Sequence, residues 1–279
     1  MSLTRHALSL LTAASVLIGS VVVGTLPAAA DPGPPPSAMT GLGDSITRGF
    51  NACGWYVDCP SRSFSTGDNV SVNAHYLRIR VANPAINGRN HNDSQTGADS
   101  ADLLGQANSA VSRGGQYVTV LIGANDACTG SESSMTTVGT FRANIDAGLN
   151  RLRTGLPGAR VFVISVPDIQ RLWSVGRGSG SARTAWSLFG ICQSMLANPT
   201  SNAQADVDRR NRVRQRVVDY NTQLAQACAA YGANCTFDNN AVFNYPFALN
   251  QLSGWDYFHP NATGQQVLAN VTYAAGFGW

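Results

Sequence analysis

Two distant segments carry the residue types that nucleophilic ester chemistry needs. Ser45 lies in GDSITRG, its hydroxyl bracketed by Gly43 and Gly49 at the end of a short apolar run. Glycine permits a sharp turn there and close approach of a substrate. A helix opening at that turn aims N–H groups and positive potential at developing negative charge. His259 lies in WDYFHPN, three residues after Asp256. A neutral imidazole near pH 7 can take a proton from a hydroxyl if an acceptor on its other nitrogen fixes the tautomer. Asp256, on the same tight loop, can be that acceptor. The other histidines suit the task less. His6 sits near the N-terminus, His75 in a helical stretch where a packed or surface imidazole is expected, and His91 in the polar loop GRNHNDS.

Acyl transfer also needs donors for the oxyanion. Three are on offer: the Ser45 N–H, the Gly97 N–H in SQTGADSADLL, and the Asn125 side-chain amide in IGANDAC. Each has a plain structural alternative. Ser45 fits a helix N-cap, Gly97 a helix start (with Gly88 in the preceding loop as a rival donor), Asn125 a turn residue, and D-x-x-H-P a surface turn. No G-x-S-x-G elbow occurs. What separates the chemical reading from the structural one is joint occurrence, in order, at the ends of strands.

The elements that must hold these residues show in the hydrophobic pattern. Ala38–Gly43, Tyr117–Ile122 and Arg160–Val166 are unbroken apolar runs that read as buried strands, and a short strand is expected near Cys235–Asp238. Helical spacing runs through Val70–Val81, Ala98–Ser112, Val138–Leu152, Asp206–Tyr231 and Asn261–Ala275, while Asn83–Gly97 reads as loop. Strands alternating with amphipathic helices predict an α/β domain with a parallel sheet covered on both faces. Active sites in such sheets lie beyond the carboxyl ends of the strands. Ser45, Asn125 and Asp168 all fall there. Asp44, Asp126 and Asp168 read as structural.

Composition narrows the chemistry further. The chain has 279 residues, 44% of them hydrophobic and 13% charged, with a formal charge of +3. That small balance leaves no nucleic-acid footprint. Every basic residue is Arg. Without Lys there is no P-loop, no Schiff base and no Ser-x-x-Lys hydrolase. Glu132 is the sole Glu, so paired-Glu glycosidase chemistry is excluded as well. Residues 1–30 read as a secretory signal peptide cleaved after Ala30, with Arg5 ahead of an apolar run and Ala28–Ala30 as the small-residue site. Residues 31–37 (DPGPPPS) read as an extended linker that does not pack, and residues 38–279 as one domain. Six cysteines in an exported protein imply disulfides, for which fifteen pairings exist. Short closures favour Cys53–Cys59 and Cys228–Cys235, leaving Cys128–Cys192. A metal site is not expected, because the spacings match no zinc pattern.

The set Ser45, Gly97, Asn125 and His259, with Asp256 three before the His, resembles the SGNH hydrolases, also called the GDSL family of esterases and lipases. The resemblance spans about Met39 to Leu268 and is of the secreted bacterial type. GANDAC and DYFHP are similar to the phospholipase B-like branch. It implies a flavodoxin-like three-layer sandwich of about five parallel strands. It also implies a Ser45–His259–Asp256 triad, an oxyanion hole of Ser45, Gly97 and Asn125, and no cofactor or metal. The function so implied is hydrolysis of lipid or medium-chain esters by a monomer without a membrane anchor. The alternatives are a carbohydrate O-acetyl esterase, a phosphodiester-cleaving hydrolase, or a binding module that has lost the chemistry. An apolar cluster in 177–198, with Trp186 and Phe189, is expected either to pack on the sheet or to wall the acyl chain.

Overall fold

The computed structural model describes Met1 and residues 33–279; apart from Met1, the expected leader lies outside the described residues. β1 (Met39–Gly43) leads directly into the single turn α1 (Ser45–Arg48), and a long excursion follows to α2 (His75–Ala82) and β2 (Asn90–Asn92). Next come α3 (Leu103–Arg113), β3 (Tyr117–Leu121), the short α4 (Ala124–Ala127) and α5 (Val138–Gly155). β4 (Arg160–Val163) precedes α6 (Ile169–Gly176), α7 (Gly180–Leu188), α8 (Gln193–Leu196) and the long α9 (Gln204–Tyr231). β5 (Cys235–Phe237), α10 (Ala241–Asn244) and α11 (Ala262–Ala275) complete the chain.

The five strands pair only in parallel, in the order β2-β1-β3-β4-β5. This is the flavodoxin-like order, whose switch point lies between β1 and β3. Ser45 leaves the sheet from one of these strands and Asn125 from the other, so topology alone sets them side by side. β1 and β3 are buried along their whole length, as parallel strands covered on both faces must be. α3, α5 and α9 pack together on one face. α2 and α11 meet on the other, where buried His75 bonds Thr272 through Nε2 and the Tyr117 hydroxyl through Nδ1. Burial holds the His75 imidazole neutral, its pKa pushed down to about 3. It is a core residue, as its helical context suggested.

Three expectations need correction. The stretch read as loop contains β2, an edge strand of sequence NHN. It has no apolar signal because side-chain amides fix it: Asn90 Nδ2 donates to the Thr66 carbonyl and Asn92 Nδ2 to the Thr47 carbonyl. The helix expected from Val70 starts at His75, because Asn73 is left-handed (φ 52°) and breaks the run. The linker also packs in part. Pro36 is buried, and the Pro35 carbonyl, unpaired in an extended proline segment, accepts from Asn83 Nδ2 at 2.8 Å.

Two buried amides finish the sheet where its strands diverge, and a third ties α1 to the segment before α2. Gln106 accepts from the Gly43 N–H (2.7 Å) and donates to the Gly43 carbonyl (2.9 Å). Asn221 makes the same double bond to Val166, and Gln265 ties the Phe64 N–H to the Ile46 carbonyl. The disulfides pair Cys53–Cys59, Cys128–Cys192 and Cys228–Cys235. In 177–198 the packing alternative holds for Trp186, which is fully buried with its ring edge against Gly176. Trp186→Ala is therefore expected to cost about 3–5 kcal/mol of stability, read from urea unfolding midpoints; a loss below about 1 kcal/mol would place the ring outside the core.

Candidate active site

Ser45 stands at the first position of α1, just past β1. Gly43 makes the turn possible: its φ is 140°, and a Cβ there would collide with the Leu121 carbonyl of the neighbouring strand. Asp44 caps the helix, its Oδ1 accepting from the Ile46 N–H at 2.8 Å. The Ser45 hydroxyl lies 2.8 Å from His259 Nε2, and His259 Nδ1 lies 2.5 Å from Asp256 Oδ2. Ser45 and Asp256 are buried. An imidazole held this way, with a carboxylate on Nδ1, presents Nε2 to the hydroxyl as an acceptor and can remove its proton.

Asp256 is bound on all sides. Its Oδ1 accepts from the Phe258 and His259 N–H groups at 3.0 and 3.1 Å, and its Oδ2 also accepts from Asn51 Nδ2 at 2.6 Å. The loop closes around it only because Tyr257 adopts a left-handed φ of 52°, a conformation disfavoured for a bulky side chain. Trp186 Nε1 donates to the Tyr257 carbonyl at 3.1 Å, and the Ser253 N–H to the His259 carbonyl at 2.8 Å. Trp186 thus supports the histidine loop from behind rather than facing a substrate. Asn51 escaped sequence reasoning. It lies only six residues after Ser45, yet 205 positions separate it from its partner.

The three donor loops are tied to one another. The Gln95 N–H donates to the Gly43 carbonyl at 3.1 Å, and Asn125 Nδ2 donates to the Ala98 carbonyl at 2.8 Å. Gly97, left-handed at φ 88°, sits between these two anchors. The rival Gly88 spends its N–H on the Tyr76 hydroxyl at 3.1 Å, which favours Gly97 as the donor. Asp126 anchors the next loop by accepting from the Ser100 N–H and hydroxyl at 2.8 and 2.6 Å. Asp168 caps α6 and pairs with Arg214 at 2.8 Å. Cys128, three residues past Asn125, is bonded to Cys192, and Ser194 Oγ donates to the Ala127 carbonyl, pinning α8 beside this loop.

Two carboxyls flanking the site residues respond to burial. Burial pushes the Asp44 carboxyl up to about 7, against the pull of the Ile46 N–H and of His259, and its Oδ2 has no partner among the described residues. Burial likewise raises Asp126, with the Ser100 hydrogen bonds opposing it. An apolar cavity has walls that include Ile46, Ala124, Leu172, Val175, Phe247 and Phe258, while Ser45, Asn125 and His259 themselves do not line it. Ile46, Ala124 and Phe258 are the immediate chain neighbours of Ser45, Asn125 and His259. No residue of 177–198 lines it.

A family model described as GDSL-like lipase/acylhydrolase matches residues 40–272. No curated protein matches the chain. Among solved structures, a protein from Parabacteroides merdae assigned as a GDSL-like lipase superposes with a TM-score of 0.54 at 16% identity, covering 85% of this chain and 94% of its own. A variant of Axe2, an acetylxylan esterase from Geobacillus stearothermophilus, gives 0.53 at 14% identity, covering 87% and 94%. At these identities the structures are alike in fold.

Two outcomes follow from this geometry. Asn51→Gly tolerates the left-handed backbone but removes the donor on Asp256 Oδ2. It is expected to lower kcat about tenfold with KM little changed, and a pure KM effect would refute the positioning role. Asp44 holds a proton in the folded state between about pH 4 and 7 that the unfolded chain has released, so stability falls as pH rises through that window. Asp44→Asn removes the titration. Its unfolding free energy relative to the parent, read from urea midpoints, is expected to climb from about pH 4 to pH 8 by an amount of order a few kcal/mol; a difference independent of pH would exclude Asp44.

Proposed function

The chain belongs to the GDSL-like lipase/acylhydrolase family, a family of esterases and lipases, and on that premise we propose that it hydrolyses carboxylic esters of lipid or medium-chain acyl groups through Ser45, His259 and Asp256. The observation that carries the reading is the 2.8 Å contact of Ser45 Oγ with His259 Nε2, with their chain neighbours Ile46 and Phe258 walling an almost wholly apolar cavity. Ser45 attacks the ester carbonyl and its proton passes to His259. The Ser45 N–H, the Gly97 N–H and the second N–H of the Asn125 amide receive the oxyanion. His259 then protonates the departing alcohol, and water, deprotonated by the same imidazole, releases the acid. Asp256 keeps the imidazole in the required tautomer and stabilises its cation.

The acyl reading rests on the cavity, because its walls adjoin three of the site residues and carry no charge except Asp168 at one edge, which Arg214 holds. A second reading, an O-acetyl esterase for glycans, draws support from the fold shared with the acetylxylan esterase. We also propose that residues 38–279 act as one monomeric domain and that the protein is exported. Export is supported by the three disulfides and by the absence, among the described residues, of any helix long and apolar enough to cross a membrane. N-terminal sequencing of secreted protein starting at Asp31 would establish cleavage after Ala30.

One kinetic series tests the assignment. Ser45→Ala is expected to fold and to lose turnover of every p-nitrophenyl ester, and full activity would refute the mechanism. Leu172→Trp fills the cavity, so it is expected to lower the octanoate-to-acetate ratio of kcat/KM by about tenfold or more while acetate turnover persists. An unchanged ratio, or higher activity of the parent on acetylated xylo-oligosaccharides than on octanoate, would favour the glycan reading.

A further inference from the structure

Six of the ten large apolar side chains that stand exposed among the described residues belong to one region: Trp55, Tyr56, Val57, Leu188, Phe189 and Trp255. Scattered exposure of single apolar residues is ordinary, whereas a contiguous patch marks an interaction surface. Contacts tie these residues to one another and to the site. The Phe50 ring packs edge-on against His259 with centroids 4.9 Å apart, Tyr56 packs against Phe50 at 4.9 Å, and Phe189 lies 6.1 Å from Tyr56. On the other side Trp255 Nε1 donates to the Gly54 carbonyl at 2.8 Å. The patch is therefore a rim around the mouth of the triad.

The rim is held outward by covalent and hydrogen-bonded structure. Cys53–Cys59 closes the loop that carries Trp55, Tyr56 and Val57, and the Asn51 N–H donates to the Val57 carbonyl at 2.9 Å. A loop free to collapse would fold these side chains inward; this one presents Trp55 at 68% and Val57 at 50% exposure, with Leu188, the chain neighbour of Phe189, at 72%. Charge is sparse as well. Residues 50–57, 184–205 and 245–255 contain no acidic or basic side chain, Asp58, at the loop's end, is paired with Arg48 at 3.1 Å, and one nearby cation, Arg62, donates to the Ala52 carbonyl at 2.7 Å beside Gly54 and Trp255.

We propose that this rim docks the enzyme on the surface of a neutral or zwitterionic lipid aggregate, so that the triad mouth opens onto the lipid. The inference rests on the acyl-ester reading above and adds the physical form of the substrate. Trp and Tyr favour the boundary where an apolar ring meets polar headgroups. Binding at that boundary scales with the apolar area inserted, and a rim so sparsely charged gains little from anionic lipid. A sugar platform would set aromatic faces among hydroxyl-binding side chains; the aliphatic Val57 and Leu188 offer neither.

The test separates docking from catalysis. Ser45→Ala protein, which cannot consume the lipid, is sedimented with phosphatidylcholine vesicles. It is expected to bind, with little change when salt is raised to about 0.5 M. Trp55→Ser/Val57→Ser in that background, and separately Leu188→Ser, are expected to lower partitioning by about tenfold. In protein that keeps Ser45, the same substitutions are expected to leave kcat/KM on dissolved p-nitrophenyl butyrate within about twofold, showing an intact fold and site. Failure of the Ser45→Ala protein to sediment, or equal sedimentation of the rim variants, overturns the proposal. So does binding to xylo-oligosaccharides that the rim substitutions abolish. Vesicle binding through the rim without octanoate hydrolysis would sustain docking while removing the acyl-ester reading, so the two fail separately.

Discussion

A single buried carboxylate organises the site. A side chain with two acceptor oxygens, buried as Asp256 is, needs donors in place of water. Four take that place: two backbone N–H groups of its own loop, the His259 ring and the Asn51 amide. Each donor constrains a different piece of chain. The backbone pair forces Tyr257 into a left-handed conformation. The ring bond aims Nε2 at Ser45. The amide bond pulls the segment after α1 onto the histidine loop, and Asn51 itself must be left-handed to reach it. The tautomer that His259 needs is thus fixed by the same contacts that make the burial of Asp256 tolerable.

The sheet poses the complementary problem. Parallel strands must separate at their carboxyl ends to open a crevice, and every backbone group that leaves the ladder needs a new partner. Gln265 ties α1 to the Phe64 segment, while Gln106 and Asn221 supply one donor and one acceptor each to Gly43 and Val166, from helices that pack anyway. Their reach sets how far the strands can part. Gln106 holds the Gly43 peptide, immediately before the loop that presents Ser45, so the nucleophile is positioned from α3 as well as from β1.

The legible and illegible parts of the chain divide along this physics. β1, β3 and β4 were readable because burial on both faces demands unbroken apolar runs. The set Ser45, Asn125, Asp256 and His259 was readable because short motifs at strand ends have few other uses together. β2 was not, since an edge strand of sequence NHN is built by side-chain amides and leaves no hydrophobic trace. Asn51 and Gln106 were not, because an amide that bonds across 205 or 63 positions looks in sequence like any polar residue. Trp186 was misjudged as a choice between core and wall. Its ring is core while its N–H steadies the Tyr257 carbonyl, a duality that spacing cannot express.

The arrangement leaves local costs close to the serine. Asp44 Oδ2 and Asn51 Oδ1 are buried without hydrogen-bond partners among the described residues, and Tyr257 is strained; each such feature costs of order 1–3 kcal/mol. One disulfide sits on a loop that bears such a cost, and another beside Asn125. Cys53 is two residues past Asn51, and Cys128 is three past Asn125. In the chain-entropy view a bridge spanning 64 positions removes about 4 kcal/mol from the unfolded state. Placed here, the bridges offset strain where packing cannot, because the surrounding loops turn their apolar residues outward to the rim instead of inward to a core. The loop that exposes Trp55 and the segment that exposes Leu188 are thus the ones that covalent bonds hold in place.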